Sequence, residues 1–183
     1  TKAEEKRVKD EKYTIYYRYN IQTEKLEKAY EFPFPATIVK VLKGQLLLKS
    51  MLTSEQHHLY LDQQELRKKF ILQDKDNQLY EDINEIPFYF NGSGHIANKR
   101  QQLFLYDIET KVIKPLVDSG FHVGIVKVSD DLKHIYYTGS EMKGIKRLTT
   151  HIFCYHIDTR ETDILYHEDD CSVSNLYLIN HHI

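Results

Sequence analysis

The chain has 183 residues, 41% hydrophobic and 28% charged, which suits one globular domain and leaves no apolar run near the roughly 18 residues of a membrane span. Its 25 basic and 27 acidic residues nearly cancel, so the basic footprint of a nucleic-acid-binding protein is missing. Two cysteines, Cys154 and Cys171, can close one bridge at most, a sparse usage that fits a reducing, cytoplasmic compartment better than a secreted scaffold.

Fourteen tyrosines, eight phenylalanines and no tryptophan favour many short strands with aromatic packing, because aromatic and β-branched side chains fit a pleated surface. Residues 1–12, TKAEEKRVKDEK, mix acids with bases and read as a solvated segment, without the pattern of a signal peptide. The stretch YRYNIQTEKLEKAY at 17–30 then introduces a pattern that returns twice, as LFLYDIETKVIKPL at 103–116 and FCYHIDTRETDILY at 153–166. Tyr17, Tyr19, Ile21 and Thr23 correspond to Phe104, Tyr106, Ile108 and Thr110, and to Phe153, Tyr155, Ile157 and Thr159. Alternation with period two is the mark of a half-buried strand. The polar residues that follow (Glu24-Lys25, Lys111, Arg160-Glu161) predict a tight turn in each copy, and a second strand returns from it.

After the extended connection Phe32-Pro33-Phe34-Pro35, ATIVKVLKGQLLLKSM predicts a strand, a Lys43-Gly44 turn and a second strand. Between Thr53 and Arg100 the repeat skeleton is absent. DQQELRKKFILQ at 62–73 instead places Leu66, Phe70 and Ile71 at helical spacing behind an N-capping Asp62. Downstream, His122–Val128, a Ser129-Asp130-Asp131-Leu132 turn and Lys133–Thr138 predict two strands, and the hairpin at 151–166 adds two more.

Four antiparallel strands in about 45 residues make a β-propeller blade. Tyr155 follows Tyr106 by 49 positions, the length of one blade, whereas Tyr106 follows Tyr19 by 87. The excess predicts a helix-containing insertion at about 53–100. The expected fold is therefore all-β, a partial propeller. It would hold the outer strands of one blade at 13–31, a blade with an insertion at 36–117, a full blade at 121–167 and the start of another at 172–183. A propeller buries its blade faces against neighbours in a ring of four to eight. A partial one is expected to be a piece of a larger protein, and to self-associate through its open faces.

The turn Val128 to Tyr137 resembles the Ser-Pro-Asp-Gly-Lys-x-Ile turn of blades in the prolyl oligopeptidase family and in TolB-like proteins, with Asp130 in place of the proline and Leu132 in place of the glycine. The segment from Glu85-Ile86-Pro87-Phe88-Tyr89-Phe90 through Gly92-Ser93-Gly94 to Lys99-Arg100 is similar to the insertion in an early blade of acylaminoacyl-peptidase-like members of that family. The resemblance implies a two-part serine peptidase for short peptides. A propeller limits access by size, and its partner is a C-terminal α/β-hydrolase domain carrying a Ser-Asp-His triad. No catalytic residue carries over, because the chain has no G-x-S-x-G nucleophile elbow. TolB-like proteins offer the alternative of a non-enzymatic propeller that binds proteins or peptides.

No catalytic, cofactor-binding or metal-binding residue is assigned. His151, Cys154 and His156 share a strand, but alternation turns His151 away from the other two, and no second cluster lies at zinc spacing. His57-His58 and His181-His182 read as surface pairs. Glu168-Asp169-Asp170 lacks the glycine and alternate spacing of a calcium loop. Gly92-Ser93-Gly94 is not followed by the lysine of a phosphate loop, so its glycines are expected to supply positive φ angles. The insertion is the expected seat of any binding function. Its aromatic return, Tyr80, Phe88, Tyr89 and Phe90, is expected to pack the insertion onto the propeller in preference to contacting substrate.

Overall fold

The computed structural model describes residues 13–53, 56, 83–92, 94–145, 149–168 and 171–179. They form an all-β protein. A first hairpin pairs β1 (Thr14–Asn20) with β2 (Lys25–Phe32). A four-stranded antiparallel sheet follows, of β3 (Thr37–Val41) and β4 (Gln45–Thr53), then β7 (Lys99–Asp107) and β8 (Ile113–Pro115) in the order β3-β4-β7-β8. Between β4 and β7 lies a small ladder of β5 (Tyr89–Phe90) with β6 (Gly94–His95). The last sheet is a meander of β9 (Phe121–Val128), β10 (His134–Glu141), β11 (His151–His156) and β12 (Thr162–Tyr166).

The expected strand pairs all form, and the excursion falls between the second and third strands of its sheet. β4 and β7 pair without a register break from Gln45↔Asp107 to Thr53↔Lys99, so the excursion leaves and returns at one end of the sheet, between its two central strands. The helix expected at 62–73 lies outside the described residues. No closed ring of sheets is present among the described residues. The opening strand expected at 172–180 forms no ladder over 171–178. Its side chains nevertheless alternate, Leu176 and Leu178 turning inward onto Tyr136 and Cys154 of the last sheet.

The repeat dictates the packing. Phe104 and Tyr106 share a core with Phe32, Phe34, Leu46 and Leu48, and Tyr16 and Tyr30 of the first hairpin pack against it. The Phe32 and Tyr106 rings meet edge to face at 5.2 Å, and Tyr30 meets Tyr106 at 6.0 Å. Leu103 and Leu105, on the opposite face of β7, join Leu47, Val123, Ile135, Tyr137 and Tyr155 in a second core, against which Phe153 and Ile157 pack. Alternation along a strand thus gives β7 one face for each neighbour. Such aromatic pairs contribute about 0.5–1.5 kcal/mol each beyond the area they bury.

The first hairpin is also tied down through its connection. The Tyr16 hydroxyl donates to Ala36 O (2.9 Å) and accepts from Ile38 N–H (3.2 Å). Thr14 Oγ1 donates to Phe34 O (3.2 Å) and accepts from Ala36 N–H (3.0 Å). Three of these four backbone groups belong to Phe34 and Ala36, in the connection that Pro33 and Pro35 hold outside any ladder, and the fourth to Ile38 of the edge strand β3.

All three repeat hairpins turn in the same way. Glu24, Lys111 and Arg160, at one motif position, have φ of 52°, 60° and 63°. Lys111 N–H bonds Asp107 O (2.9 Å), and Arg160 N–H bonds His156 O (2.8 Å). Asp107 Oδ1 accepts from the Glu109 and Thr110 amides at 3.1 and 2.8 Å, as Asn20 Oδ1 accepts from those of Gln22 and Thr23 at 3.0 and 3.1 Å. These bonds hold the Asp107 carboxyl below the usual carboxylate range, the Thr110 amide contributing most. The third copy has His156 at this place, and its ring bonds Asp163 instead (2.9 Å). The motif isoleucine amide reaches the neighbouring turn in both full sheets, Ile108 N–H to Gly44 O (3.1 Å) and Ile157 N–H to Lys133 O (2.9 Å).

Candidate functional site

The segment 83–98 returns from the insertion onto the second sheet and is fastened by one buried ion pair. Glu85 and Arg100 side chains are 7% and 6% exposed, and the guanidinium engages both carboxylate oxygens, Nη1 meeting Oε2 at 2.9 Å and Nη2 meeting Oε1. The Asn98 amide donates to Glu85 Oε2 as well (2.7 Å). Arg100 also donates to Lys99 O (3.2 Å) and to Met142 O (3.3 Å), the latter beyond the end of β10. The Arg100 hydrogen bonds hold the Glu85 carboxyl below its ordinary range, outweighing the upward push of burial.

One residue on, Ile86 N–H bonds Gly144 O (2.8 Å), and Ile86 bridges to Ile145. The root of the insertion therefore joins β7 to the loop after β10. Gly92 and Gly94 take φ of 83° and 69°, the freedom expected of them, and Asn98 adopts a φ of 58°. Two of the four aromatic residues of the return differ from expectation. Phe88 and Tyr89 are exposed, together with Ile83 and Ile86, so these side chains are not packed into the sheets. Tyr89 lies in β5, which pairs with the two-residue β6 alone among the described residues, and Phe88 immediately precedes that short ladder. Tyr80 lies outside the described residues.

A cleft of about 400 Å³ opens between the second and third sheets at the turn end, lined by Leu105, Thr110, Lys114, Tyr155, Ile157 and Arg160 among others. Its walls are the β7–β8 turn and the β11–β12 turn, two copies of one motif. Its lining mixes Lys114 and Arg160 with Asp107, Gln45 and Thr110 beside the apolar residues, so it offers both signs of charge to a polar chain.

The turn that resembles the peptidase blades is built from side chains. Ser129, buried, accepts from His134 N–H (2.9 Å) and bonds Asp131 Oδ1 (2.5 Å). Asp131 Oδ1 accepts from Lys133 N–H (3.0 Å), and Leu132 sits at φ 59° where the resembling motif has glycine. The left-handed geometry is thus kept with a leucine in it.

His151 stacks on His167 at 3.9 Å and leans on Phe153, while Cys154 packs with Tyr136 and His156 meets His134 at 5.0 Å on the other face. The alternation expected along β11 is therefore present. Burial pushes the Cys154 thiol up, away from the reactive thiolate, and both cysteines are free. Among the described residues no group of three or more His, Cys, Asp or Glu side chains converges to hold a metal ion, and no helix is long and apolar enough to cross a membrane. Asp169 and Asp170 lie outside the described residues.

Neither Glu85 with Arg100 nor the exposure of Phe88 and Tyr89 was legible as such. The two charged residues lie 15 positions apart across irregular chain, and no periodicity links them. No protein-family model matches the sequence, and no curated protein matches it significantly.

Proposed function

We propose that the chain is part of the propeller of a cytoplasmic serine peptidase of the prolyl oligopeptidase family, acylaminoacyl-peptidase-like. In this reading it bears no catalytic residue and limits which peptides reach an α/β-hydrolase domain elsewhere in the parent protein. The observation that carries it is the stack of repeats: four-stranded antiparallel meanders, each turning its aromatic-x-Tyr-x-Ile face to the sheet before it. Radial repetition of such sheets is how a propeller buries its faces. The left-handed Leu132 and the insertion returning through Glu85, Gly92, Gly94 and Arg100 support the family likeness.

The exposed Ile83, Ile86, Phe88 and Tyr89 favour a second reading, a non-enzymatic TolB-like propeller that binds proteins or peptides through its insertion. One experiment separates the two. The full-length gene product and this chain are each treated with a fluorophosphonate label and assayed on short blocked peptides. Labelling and hydrolysis by the full-length protein alone are expected. If neither is labelled, the peptidase reading is wrong.

A further inference from the structure

Two connections at the same place in the repeat are fastened to each other. The excursion joins the second strand of its sheet, β4, to the third, β7, and the loop after β10 likewise joins the second strand of the last sheet to the third, β11. Ile86 N–H at the root of the excursion donates to Gly144 O of that loop (2.8 Å), and Arg100 donates to Met142 O (3.3 Å). Met142 N–H in turn donates to Gly120 O (3.1 Å), just ahead of β9. Glu85, which grips Arg100, also accepts from the Asn98 amide at the far end of the return (2.7 Å).

These fastenings are polar, whereas the sheets are held by apolar burial. Among residues 83–89 Glu85 alone is buried, and none of 141–145 is. Ile83, Ile86 and Ile145 are exposed, while Leu46, Leu47, Leu48, Leu103 and Phe104 of β4 and β7 are wholly buried. Segments with few buried apolar contacts open locally at a lower free energy than the core they sit on. A buried ion pair also resists partial release, because removing one partner leaves the other charge buried and uncompensated. When Glu85 and Arg100 part, the Asn98 amide therefore loses its acceptor's anchorage and Met142 O loses its donor in the same event.

We infer that the root of the excursion, at Glu85, Ile86 and Asn98, and the loop at 142–145 open and close as one unit, latched by Glu85 and Arg100, while the strands of both sheets stay paired. A load on the exposed Ile83, Ile86, Phe88 or Tyr89 is then passed to the loop of the next sheet. The inference concerns how the two sheets communicate and is independent of both readings of function above.

Amide hydrogen exchange of this chain, resolved residue by residue by NMR, tests it. The reporters are the amides of Asn98 and Met142, which bond different partners, Glu85 and Gly120. In the wild type both are expected to show one opening constant, larger than that of the β4–β7 ladder. Gly144→Ala perturbs the loop alone: a Cβ there meets nothing within 4 Å, but φ is 71°, so the cost falls on the backbone. It is expected to raise the opening constant about fivefold to thirtyfold, at Asn98 as much as at Met142. Glu85→Gln perturbs the root alone and is expected to raise Met142 by at least as much. Should Glu85→Gln fail to fold, the Asn98 response to Gly144→Ala still decides. Three results would each overturn the inference: Asn98 indifferent to Gly144→Ala, Met142 indifferent to Glu85→Gln, or wild-type reporters that open only as rarely as the ladder does.

Discussion

Replacing Leu132 by glycine is expected to leave the protein more stable than replacing it by alanine, the reverse of the ordinary order. At negative φ, glycine is worse than alanine by about 0.5–1 kcal/mol, because it loses more backbone freedom on folding. Leu132 has φ 59°, where a Cβ costs roughly 1–2 kcal/mol. Its side chain is half-buried against the core of Leu47, Ile135 and Tyr137, and truncation forfeits about 1 kcal/mol of apolar burial in either variant. Alanine keeps the strain and loses the packing, so it should destabilise by about 1 kcal/mol. Glycine loses the same packing and takes on the entropic cost of about 0.5–1 kcal/mol, but it sheds strain of about 1–2 kcal/mol, so it should be more stable than alanine by about 0.5–1 kcal/mol. Urea unfolding of the three proteins measures the difference, and a gap of about 1 kcal/mol corresponds to about 2–4 °C in thermal midpoint at this size. If alanine proves the more stable by the usual half to one kcal/mol, the left-handed turn does not carry the strain argued for it.

Gly139→Ala is expected to destabilise by about 1–3 kcal/mol, since a Cβ there would lie 2.3 Å from Phe121 Cε1 and 2.5 Å from His122 O; thermal unfolding reads the loss. Glu85→Gln leaves the Arg100 guanidinium buried without its counter-charge and should cost about 3–5 kcal/mol at neutral pH, whereas Glu85→Leu with Arg100→Leu should recover most of it in the same denaturation assay. The Glu85 carboxyl has a folded pKa below its unfolded value of 4.5, so its contribution is full above 4.5 and disappears as pH falls through the folded value. An acid titration of wild-type stability should show that loss, and the double-leucine variant should show less of it. Cys171, exposed, is expected to react with a thiol reagent at the rate of a free peptide, and buried Cys154 only as fast as the protein opens; mass spectrometry of timed samples distinguishes them.

The strands were legible because each buries one face at a time, and that leaves a period of two in the sequence. Phe104, Tyr106 and Ile108 spell out their face, as do their repeat mates. The position of the insertion was legible as an interruption of repeat spacing. The turns were legible only by location. Lys111 and Arg160 sit at positive φ, where composition would point to glycine, and what holds them there is backbone bonding to Asp107 and His156. The Glu85–Arg100 pair was invisible because its geometry depends on two segments meeting from opposite ends of an excursion. Phe88 and Tyr89 misled for a related reason: an aromatic run reports the capacity to bury surface, and at the start of so short a ladder these two side chains remain exposed.

The unbroken β4–β7 ladder, from Gln45↔Asp107 to Thr53↔Lys99, has a consequence for what this scaffold can host. It fixes both ends of the excursion independently of what lies between them. Closing a flexible loop costs free energy that grows only with the logarithm of its length, about 0.6 kcal/mol for each doubling. A change of length between Thr53 and Glu85 therefore adds little closure cost of its own, provided that Glu85 still reaches Arg100. The end of the sheet acts as a socket between two central strands, with the Glu85–Arg100 pair as its latch.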